Sequence, residues 1–211
     1  MKIGFLHTAQ VHVATFDALL DGTGAEAVHH VDETLLARAQ SDGPAAVRQD
    51  ARYAVGTLEQ ADAIVCTCST LGPLMDGFDI PHLLRIDRPA FEAAVNYGPR
   101  IMLVLCQAST KDASEQLLHD YMGSNQITPT TVICADAWPA VEAGDTNTFH
   151  TMIANDIRQA AAQQPFDAVI LAQASMAGAA AMLTDLGILV LATPAMAVQA
   201  ARAIAQGQTD R

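Results

Sequence analysis

Residues 61–70 of the chain read ADAIVCTCST, a short apolar run that ends in two thiols and three hydroxyls. Its apolar part, residues 63–65, is typical of a strand buried on both faces of a parallel sheet. The polar residues 66–70 follow at the carboxyl end, and Gly72-Pro73 marks a turn after them. Ligands of open α/β sheets bind at this end of the strands. A thiol placed there can act as a nucleophile or proton carrier, and nearby hydroxyls and N–H groups can hold a carboxylate.

A second copy of this stretch lies 105 residues further along the chain. Asp62–Leu71 aligns with Asp167–Met176, and the same offset places Pro89-Ala90 on Pro194-Ala195 without a gap. A register kept over roughly 30 residues indicates an internal duplication, and the alternative is a coincidence of two ordinary strand–helix units. A duplication would relate the two halves by a pseudo-twofold axis.

Strand-like and helical patterns alternate through both halves, and no hairpin signal interrupts them. This alternation predicts an α/β fold with two pseudo-symmetric parallel-sheet, Rossmann-like halves and a cleft between them. We expect residues 1–97 to form the first half and residues 98–193 the second, with Asn96–Pro99 as the linker. The terminal helix, residues 194–211, is expected to pack back on the first half.

The individual elements are predicted from hydrophobic periodicity and from the Gly and Pro positions. Strands are predicted at residues 2–7, 25–31, 63–65, 80–86, 100–105, 130–134, 167–171 and 187–192. Helices are predicted at residues 44–60, 89–95, 112–121, 148–163 and 194–206, with a loop at 135–145.

The composition limits the classes of partner. The chain has 211 residues, of which 51% are hydrophobic, and a net charge of −12. This charge argues against nucleic acid and anionic membranes as partners, because no basic stripe is present. No apolar run is long enough to span a membrane and the amino terminus lacks a signal peptide, so we expect a cytoplasmic protein. Its four cysteines are expected to be reduced thiols.

Two further groups of polar residues lie at predicted strand ends. Arg88 follows a strand and is expected at the same sheet edge as Cys68, either as a carboxylate-binding group or in a surface salt bridge with Asp87 or Glu92. The segment His29–Glu33 holds two imidazoles and two carboxylates. It is interpreted as a metal site, as a helix start capped by Asp32, or as a substrate-facing loop.

The motifs Cys68-Ser69-Thr70, Ile86–Pro89, Val169–Met176 and Leu191–Pro194 together resemble the aspartate/glutamate racemase superfamily. This superfamily also holds hydantoin racemases, maleate isomerases and arylmalonate decarboxylases, and the resemblance covers essentially the whole chain. It implies a two-domain enzyme without pyridoxal phosphate or any other cofactor and without a metal. It also implies that one cysteine from each half acts on the α-carbon of the substrate.

Carried over by position, the resemblance makes Cys68 the first-half cysteine and places Gln173 where the second should stand. The pseudo-twofold axis would set Cys68 opposite Gln173. Residues expected to bind the substrate, or to lie in the loops that complete its pocket, are Thr8, Gln10, Ser69, Thr70, Arg88, Thr110 and Ser175.

The glutamine at position 173 changes the expected chemistry. A two-base racemase needs two groups that gain and lose a proton, and an amide does neither near neutral pH. Reversible racemisation therefore requires that Cys106, His7 or Ser175 replace the second thiol. Cys66 is no substitute, because residues i and i+2 of a strand point the same way.

Three functions remain open from the sequence. The first is a cofactor-independent racemase or isomerase that acts at a carbon next to a carboxylate or carbonyl of a small acid, with Cys68 as acid/base or nucleophile. The second is a single-cysteine decarboxylase or a catalytically silent carboxylate-binding protein. The third is an unrelated α/β protein whose cysteines are core thiols. A small carboxylate is the expected partner, and a homodimer is possible.

Overall fold

The computed structural model describes residues 1–122 and 127–207 of the chain. Its internal contacts divide the chain into two units. The first unit holds residues 1–88 and the C-terminal segment from Pro194 onward, and the second holds Pro89–Thr193. Each unit contains a four-stranded parallel sheet with helices, which confirms the predicted α/β fold class. The predicted domain limits and the predicted cleft stay predictions.

The elements follow the chain in order. The strands are β1 (Lys2–His7), β2 (Glu26–Val31), β3 (Ala63–Cys66), β4 (Leu83–Arg85), β5 (Arg100–Leu105), β6 (Thr128–Ile133), β7 (Ala168–Leu171) and β8 (Leu189–Ala192). The helices are α1 (Val11–Leu20), α2 (Glu33–Asp42), α3 (Arg48–Gly56), α4 (Gly72–Asp76), α5 (Arg88–Tyr97), α6 (Lys111–Met122), α7 (Trp138–Glu142), α8 (Thr146–Gln163) and α9 (Thr193–Ala205). Tighter 3₁₀ turns lie at Pro44–Val47, Ser69–Leu71, Ala108–Thr110, Ala135–Ala137 and Ala174–Leu186.

The two sheets have the same strand order, which supports the duplication. The first is ordered β2-β1-β3-β4 and the second β6-β5-β7-β8. Strands β3 and β7 start 105 residues apart, as do α5 and α9. The ungapped alignment is wrong at the fourth strands, because Val65 pairs with Leu84 whereas Ile170 pairs with Leu191. The second unit therefore has two more residues before its fourth strand and two fewer after it.

Apolar side chains from both faces of each sheet form the core. All four residues of β3 and of β7 are buried, as the continuous apolar runs predict. Helix α1 packs Phe16 and Leu20 into the first unit, and Phe16 meets the ring of Phe5 with 4.8 Å between the ring centroids. Each central strand is thus held from both sides, which fixes where its carboxyl end lies.

The predicted loop at residues 135–145 is wrong in its first part, since a 3₁₀ turn and α7 occupy residues 135–142. Pro139 suits the first turn of α7, where its missing N–H has no partner to lose. The indole nitrogen of Trp138 donates to Glu142 at 2.9 Å, one turn along the same helix. Within the described ranges, no helix has the length and apolar character that crossing a membrane requires.

Candidate active site

Cys68 lies just beyond β3, at the start of the turn Ser69–Leu71 that leads into α4. Its backbone is extended, with φ −108° and ψ 111°, and the residue is 8% exposed. The hydroxyls of Thr8 and Thr70 and the backbone N–H groups of Thr70 and Leu71 are placed to donate hydrogen bonds to its sulfur. Burial raises the pKa of the Cys68 thiol, and these hydrogen bonds offset part of the rise by stabilising the thiolate. The first unit thus holds a thiol surrounded by donors.

Cys66 is a core thiol, as its place in the strand predicts. It is fully buried, and its Sγ donates to the carbonyl of Cys68 at 3.8 Å. Burial strongly raises the pKa of the Cys66 thiol, and the nearby Cys68 adds to the rise. A thiol that is neutral and without access to solvent serves packing rather than proton transfer.

A buried ion pair supports the loop that carries Cys68. The guanidinium of Arg85 donates twice to Asp87, at 2.8 Å each, and once to Asp76 at 2.7 Å. Arg85 is 4% exposed and Asp87 is 0% exposed. Burial lowers the pKa of Arg85, but the charges and hydrogen bonds of both carboxylates outweigh it and hold the pKa above its ordinary value. A Cβ at Gly72 would lie 2.6 Å from Nε of Arg85, so only glycine lets the guanidinium approach this loop.

The guanidinium of Arg88 binds Asp76, with Nη2 2.5 Å and Nε 3.2 Å from Oδ1. The sequence reasoning missed Asp76 as a salt-bridge partner of Arg88, and it missed that Asp87 binds Arg85. The predicted role of Arg88 in substrate binding stays a prediction.

His7, a candidate second base, belongs to the first unit and is fully buried. Its Nδ1 lies 2.9 Å from Oγ1 of Thr67 and its Nε2 lies 2.8 Å from Nδ1 of His29. The pKa of His7 is lowered to about 3, chiefly by burial. The charges of His29 and His12 also lower it, and together they outweigh the opposite effect of Asp17. Its ring is therefore neutral near pH 7, and both its nitrogens are engaged.

Gln173 occupies the position in the second unit that Cys68 occupies in the first. Its backbone is extended, with φ −120° and ψ 141°, at the start of the 3₁₀ turns after β7. Its Oε1 accepts from the backbone N–H of Cys106 at 2.5 Å and of Gln107 at 3.3 Å. The side chain thus links the end of β7 to the end of β5. Within residues 1–122 and 127–207, no acceptor is bound to its amide nitrogen, which leaves two N–H donors.

Ser175 lies two residues after Gln173 and is half-buried. Nε2 of His150 lies 2.9 Å from the carbonyl oxygen of Ser175, so the protonated nitrogen donates to it. A Cβ at Gly178 would lie 2.3 Å from Cε1 of this ring. His150 therefore fixes the backbone of the turn from one side, a contact that the sequence reasoning missed.

The other second-unit candidates are engaged in local contacts. Cys106 is buried, and burial together with the charge of Asp156 raises the pKa of its thiol to about 12. Thr110 is also buried, and its hydroxyl donates to the carbonyl of Gln107 at 2.8 Å. Neither group is suited to exchange protons at neutral pH.

The segment His29–Glu33 holds the end of β2 and the start of α2, and Asp32 caps the helix as that interpretation predicts. Asp32 precedes α2 and accepts from the N–H of Thr34 at 3.0 Å, the geometry of an N-cap. Its neighbour His30 contacts the hydroxyl of Thr57 at 2.9 Å. Among the residues described, no group of three or more metal-ligating side chains converges.

The structure therefore brings together part of the predicted set in the first unit. In that unit, Thr8 and Thr70 lie next to Cys68. Ser69, which separates Cys68 from Thr70 in the chain, is buried. Gln10 is exposed, and its N–H donates to Glu33 at 3.2 Å. The roles of the predicted site residues stay predictions.

Comparisons with known proteins agree with this architecture. A sequence model of the Asp/Glu/hydantoin racemase family matches residues 8–201. No curated protein sequence matches the chain.

Solved structures with the same fold include three that differ in their named activities. Aspartate racemase from Picrophilus torridus is 16% identical, with a TM-score of 0.71 over 95% of this chain and 94% of that one. Allantoin racemase from Klebsiella pneumoniae is 16% identical, with a TM-score of 0.69 over 100% and 90%. A mutant of arylmalonate decarboxylase is 15% identical, with a TM-score of 0.64 over 100% and 95%. The family match covers most of the chain and the fold agrees with it, so this protein belongs to the Asp/Glu/hydantoin racemase family and is a racemase-like enzyme.

Proposed function

We propose that this enzyme transfers a proton at a carbon next to a carboxylate or carbonyl group of a small acid, with Cys68 as the acid/base group. The observation that carries the proposal is the set of four hydrogen-bond donors around the sulfur of Cys68. Such donors stabilise a thiolate, and they reduce the cost of forming one in a buried place. Burial alone would leave an inert thiol, as it does for Cys66.

The substrate carboxylate, and the enolate that forms when its α-proton leaves, both need donors. Backbone N–H groups at the start of a helical turn and the hydroxyls of Ser69 and Thr70 are suited to this task in the first unit. Ser175 is the corresponding candidate in the second unit. Removing one such donor is expected to cost roughly 3 kcal/mol of transition-state stabilisation.

The charge balance supports a small substrate with one carboxylate rather than a multiply charged one. Arg85, the buried cation nearest to the Cys68 loop by sequence and contact, is already bound by Asp87 and Asp76. Local N–H and hydroxyl donors therefore have to bind the substrate anion in a chain of net charge −12.

Gln173 supports a one-base mechanism. Two backbone N–H groups hold its carbonyl oxygen, so the amide presents N–H donors and no exchangeable base. The candidate replacements are unsuited, since the pKa of Cys106 is raised to about 12 and that of His7 is lowered to about 3. We therefore expect Cys68 to remove and return a proton on one face of the substrate.

The test is hydrogen exchange at the α-carbon in D2O, followed by NMR, with a panel of L-amino acids, hydantoins and arylmalonates. Cys68→Ala removes the proposed base, and Cys66→Ala is the matched control, since it removes a buried thiol two residues earlier in the chain. Exchange without inversion that is lost only in Cys68→Ala supports the proposal. Exchange with inversion would require a second base, and exchange that survives in Cys68→Ala would refute the assignment.

A second candidate function is favoured by the same glutamine. A single thiol is sufficient to protonate the carbanion left when a malonate loses carbon dioxide, and one of the structurally similar proteins is named as an arylmalonate decarboxylase. Release of carbon dioxide from an arylmalonate, with one deuteron incorporated in D2O, would identify this reaction. A carboxylate that protects Cys68 from alkylation, without exchange or decarboxylation, would instead indicate a binding protein.

A further inference from the structure

Four side chains of the first unit form an unbroken row of hydrogen bonds, here called the histidine ladder: Asp17, His29, His7 and Thr67. Oδ1 of Asp17 lies 3.1 Å from Nε2 of His29, and Nδ1 of His29 lies 2.8 Å from Nε2 of His7. Nδ1 of His7 lies 2.9 Å from Oγ1 of Thr67, which lies 3.1 Å from the carbonyl oxygen of Leu6. The row runs from a carboxylate that is 58% exposed to a ring that is fully buried.

The ladder ties together the ends of the two strands that carry the thiol and its donor. His7 immediately precedes Thr8, whose hydroxyl is placed to donate to the sulfur of Cys68. Thr67 immediately precedes Cys68, and its N–H donates to the carbonyl of Leu6 at 2.9 Å. The contact between His7 and Thr67 therefore lies next to the contact between Thr8 and Cys68.

The same heavy-atom geometry permits two arrangements of protons. With both rings neutral and Nε2 of His29 donating to Asp17, His7 donates to His29 and the Thr67 hydroxyl donates to His7. The hydroxyl proton is then used, and the contact of Thr67 with the Leu6 carbonyl has no proton. One additional proton on His29 reverses the row, so that His29 donates to His7, His7 donates to Thr67 and Thr67 donates to Leu6.

In the arrangement with the additional proton, every contact of the ladder is a hydrogen bond. The charge then lies on His29, whose Nε2 faces the carboxylate of Asp17, and His7 stays neutral. This agrees with the burial of His7, where a charge is costly. Among the residues that the structure describes, the other titratable group acting on His7 is His12 of α1. Its ring centroid lies 6.3 Å from that of His7, and it shares no hydrogen bond with the ladder.

We propose that His7 is a positioning residue for the Cys68 thiol, and that uptake of one proton by the ladder tightens its hold on the ends of β1 and β3. The inference rests on the proposed function, in which Cys68 is the reacting group. The ladder acts through Thr67 and Thr8, and it does not itself touch the reacting atoms. Cys68 is accordingly held most firmly at acidic pH, where the ladder carries the additional proton.

The experiment measures the alkylation rate of Cys68 by iodoacetamide from about pH 5 to pH 8, the range in which histidine side chains titrate. Peptide mass spectrometry assigns the label to Cys68, and the rate is compared with the rise that thiolate formation alone would give. In the wild type we expect the alkylation rate to rise by an additional factor of about five as the pH increases and the ladder loses its proton. This factor corresponds to the free energy of one ordinary hydrogen bond.

His29→Gln cannot take up the proton, and His7→Asn can keep the contact with Thr67 while losing the one with His29. Both variants are expected to lose the additional step, and His12→Gln is the matched control that keeps it. A step that persists in His29→Gln, a step that is lost in His12→Gln, or no step in the wild type would overturn the proposal. His29 lies at the partly exposed end of the ladder, so its variant gives an answer even where His7 substitutions prevent folding.

Alkylation requires no turnover, which separates this proposal from the proposed function. A pH step in the alkylation rate without α-proton exchange would support the role of the ladder and refute the catalytic assignment of Cys68. Exchange that depends on Cys68, without a pH step in the alkylation rate, would support the catalytic assignment and refute the role of the ladder.

Discussion

The ion pair between Arg85 and Asp87 gives the sharpest prediction about what holds the Cys68 loop in place. Both groups are almost fully buried, and they share two hydrogen bonds of 2.8 Å. Removing one member of such a pair leaves an uncompensated buried charge, which is expected to cost about 3–5 kcal/mol of unfolding free energy. Arg85→Met removes the cation that neutralises Asp87, whereas Asp87→Leu leaves Arg85 paired with Asp76. Arg85→Met should therefore lower the unfolding free energy more.

The double variant Arg85→Met with Asp87→Leu removes both charges, so no unpaired charge is left in the core. Its cost is expected to be well below the sum of the two single costs, because apolar groups of similar volume often replace a buried pair at little loss. The assay is urea unfolding at pH 7, followed by far-UV circular dichroism, on the wild type, the two single variants and the double variant. Asp76→Ala serves as the control, since this carboxylate is 32% exposed and its loss should cost about 1 kcal/mol or less. Single variants that cost under about 1 kcal/mol, or a double variant that equals the sum, would refute the reasoning.

Three further predictions concern stability. Gly72→Ala should destabilise the protein by at least about 2 kcal/mol, because its Cβ would meet the guanidinium of Arg85, which is held by two carboxylates. Gly56→Ala is the control and should be neutral or stabilising, because its Cβ would make only an ordinary contact, 3.6 Å from Nη1 of Arg52. Equal melting temperatures of the two variants would contradict this. Asp145→Ala should lower the urea midpoint of unfolding through loss of the α8 N-cap, and an unchanged midpoint would argue against the cap. Because the pKa of His7 falls from 6.5 to about 3 on folding, the unfolded chain binds the proton first as the pH drops. Stability should thus be complete above pH 6.5 and lower by about 2 kcal/mol at pH 5, a loss that His7→Gln should lack in unfolding curves at both pH values.

The strands were predictable because their signals are local. β1 and β5 match their predicted limits, and the apolar runs of β3 and β7 are buried on both faces. Burial of an entire strand requires an apolar residue at each position, so the pattern survives in the sequence without knowledge of its neighbours. The N-cap at Asp32 was equally local, since the capping contact spans two residues.

The support of the site was not predictable, because it depends on which side chains meet across strands. His7 and His29 belong to paired strands, but their contact depends on the register and on Asp17 of α1. A histidine ending an otherwise apolar strand was the available signal, and it identified a residue in need of a partner rather than the partner itself. Arg85 carried a similar signal, since a cation inside a predicted strand requires a buried carboxylate.

The duplicated scaffold explains how the two units can differ chemically at equivalent strand ends. Cys68 and Gln173 have similar extended backbones at equivalent strand ends, so the fold offers each unit the same place for a side chain. In the first unit, N–H groups of the following turn approach the side chain and stabilise a thiolate. In the second unit, N–H groups from the end of β5 approach the side chain, and an amide oxygen accepts them without ionising. The backbone donors of the two units thus meet different acceptors, a thiol in the first unit and an amide oxygen in the second, and an amide neither gains nor loses a proton near neutral pH.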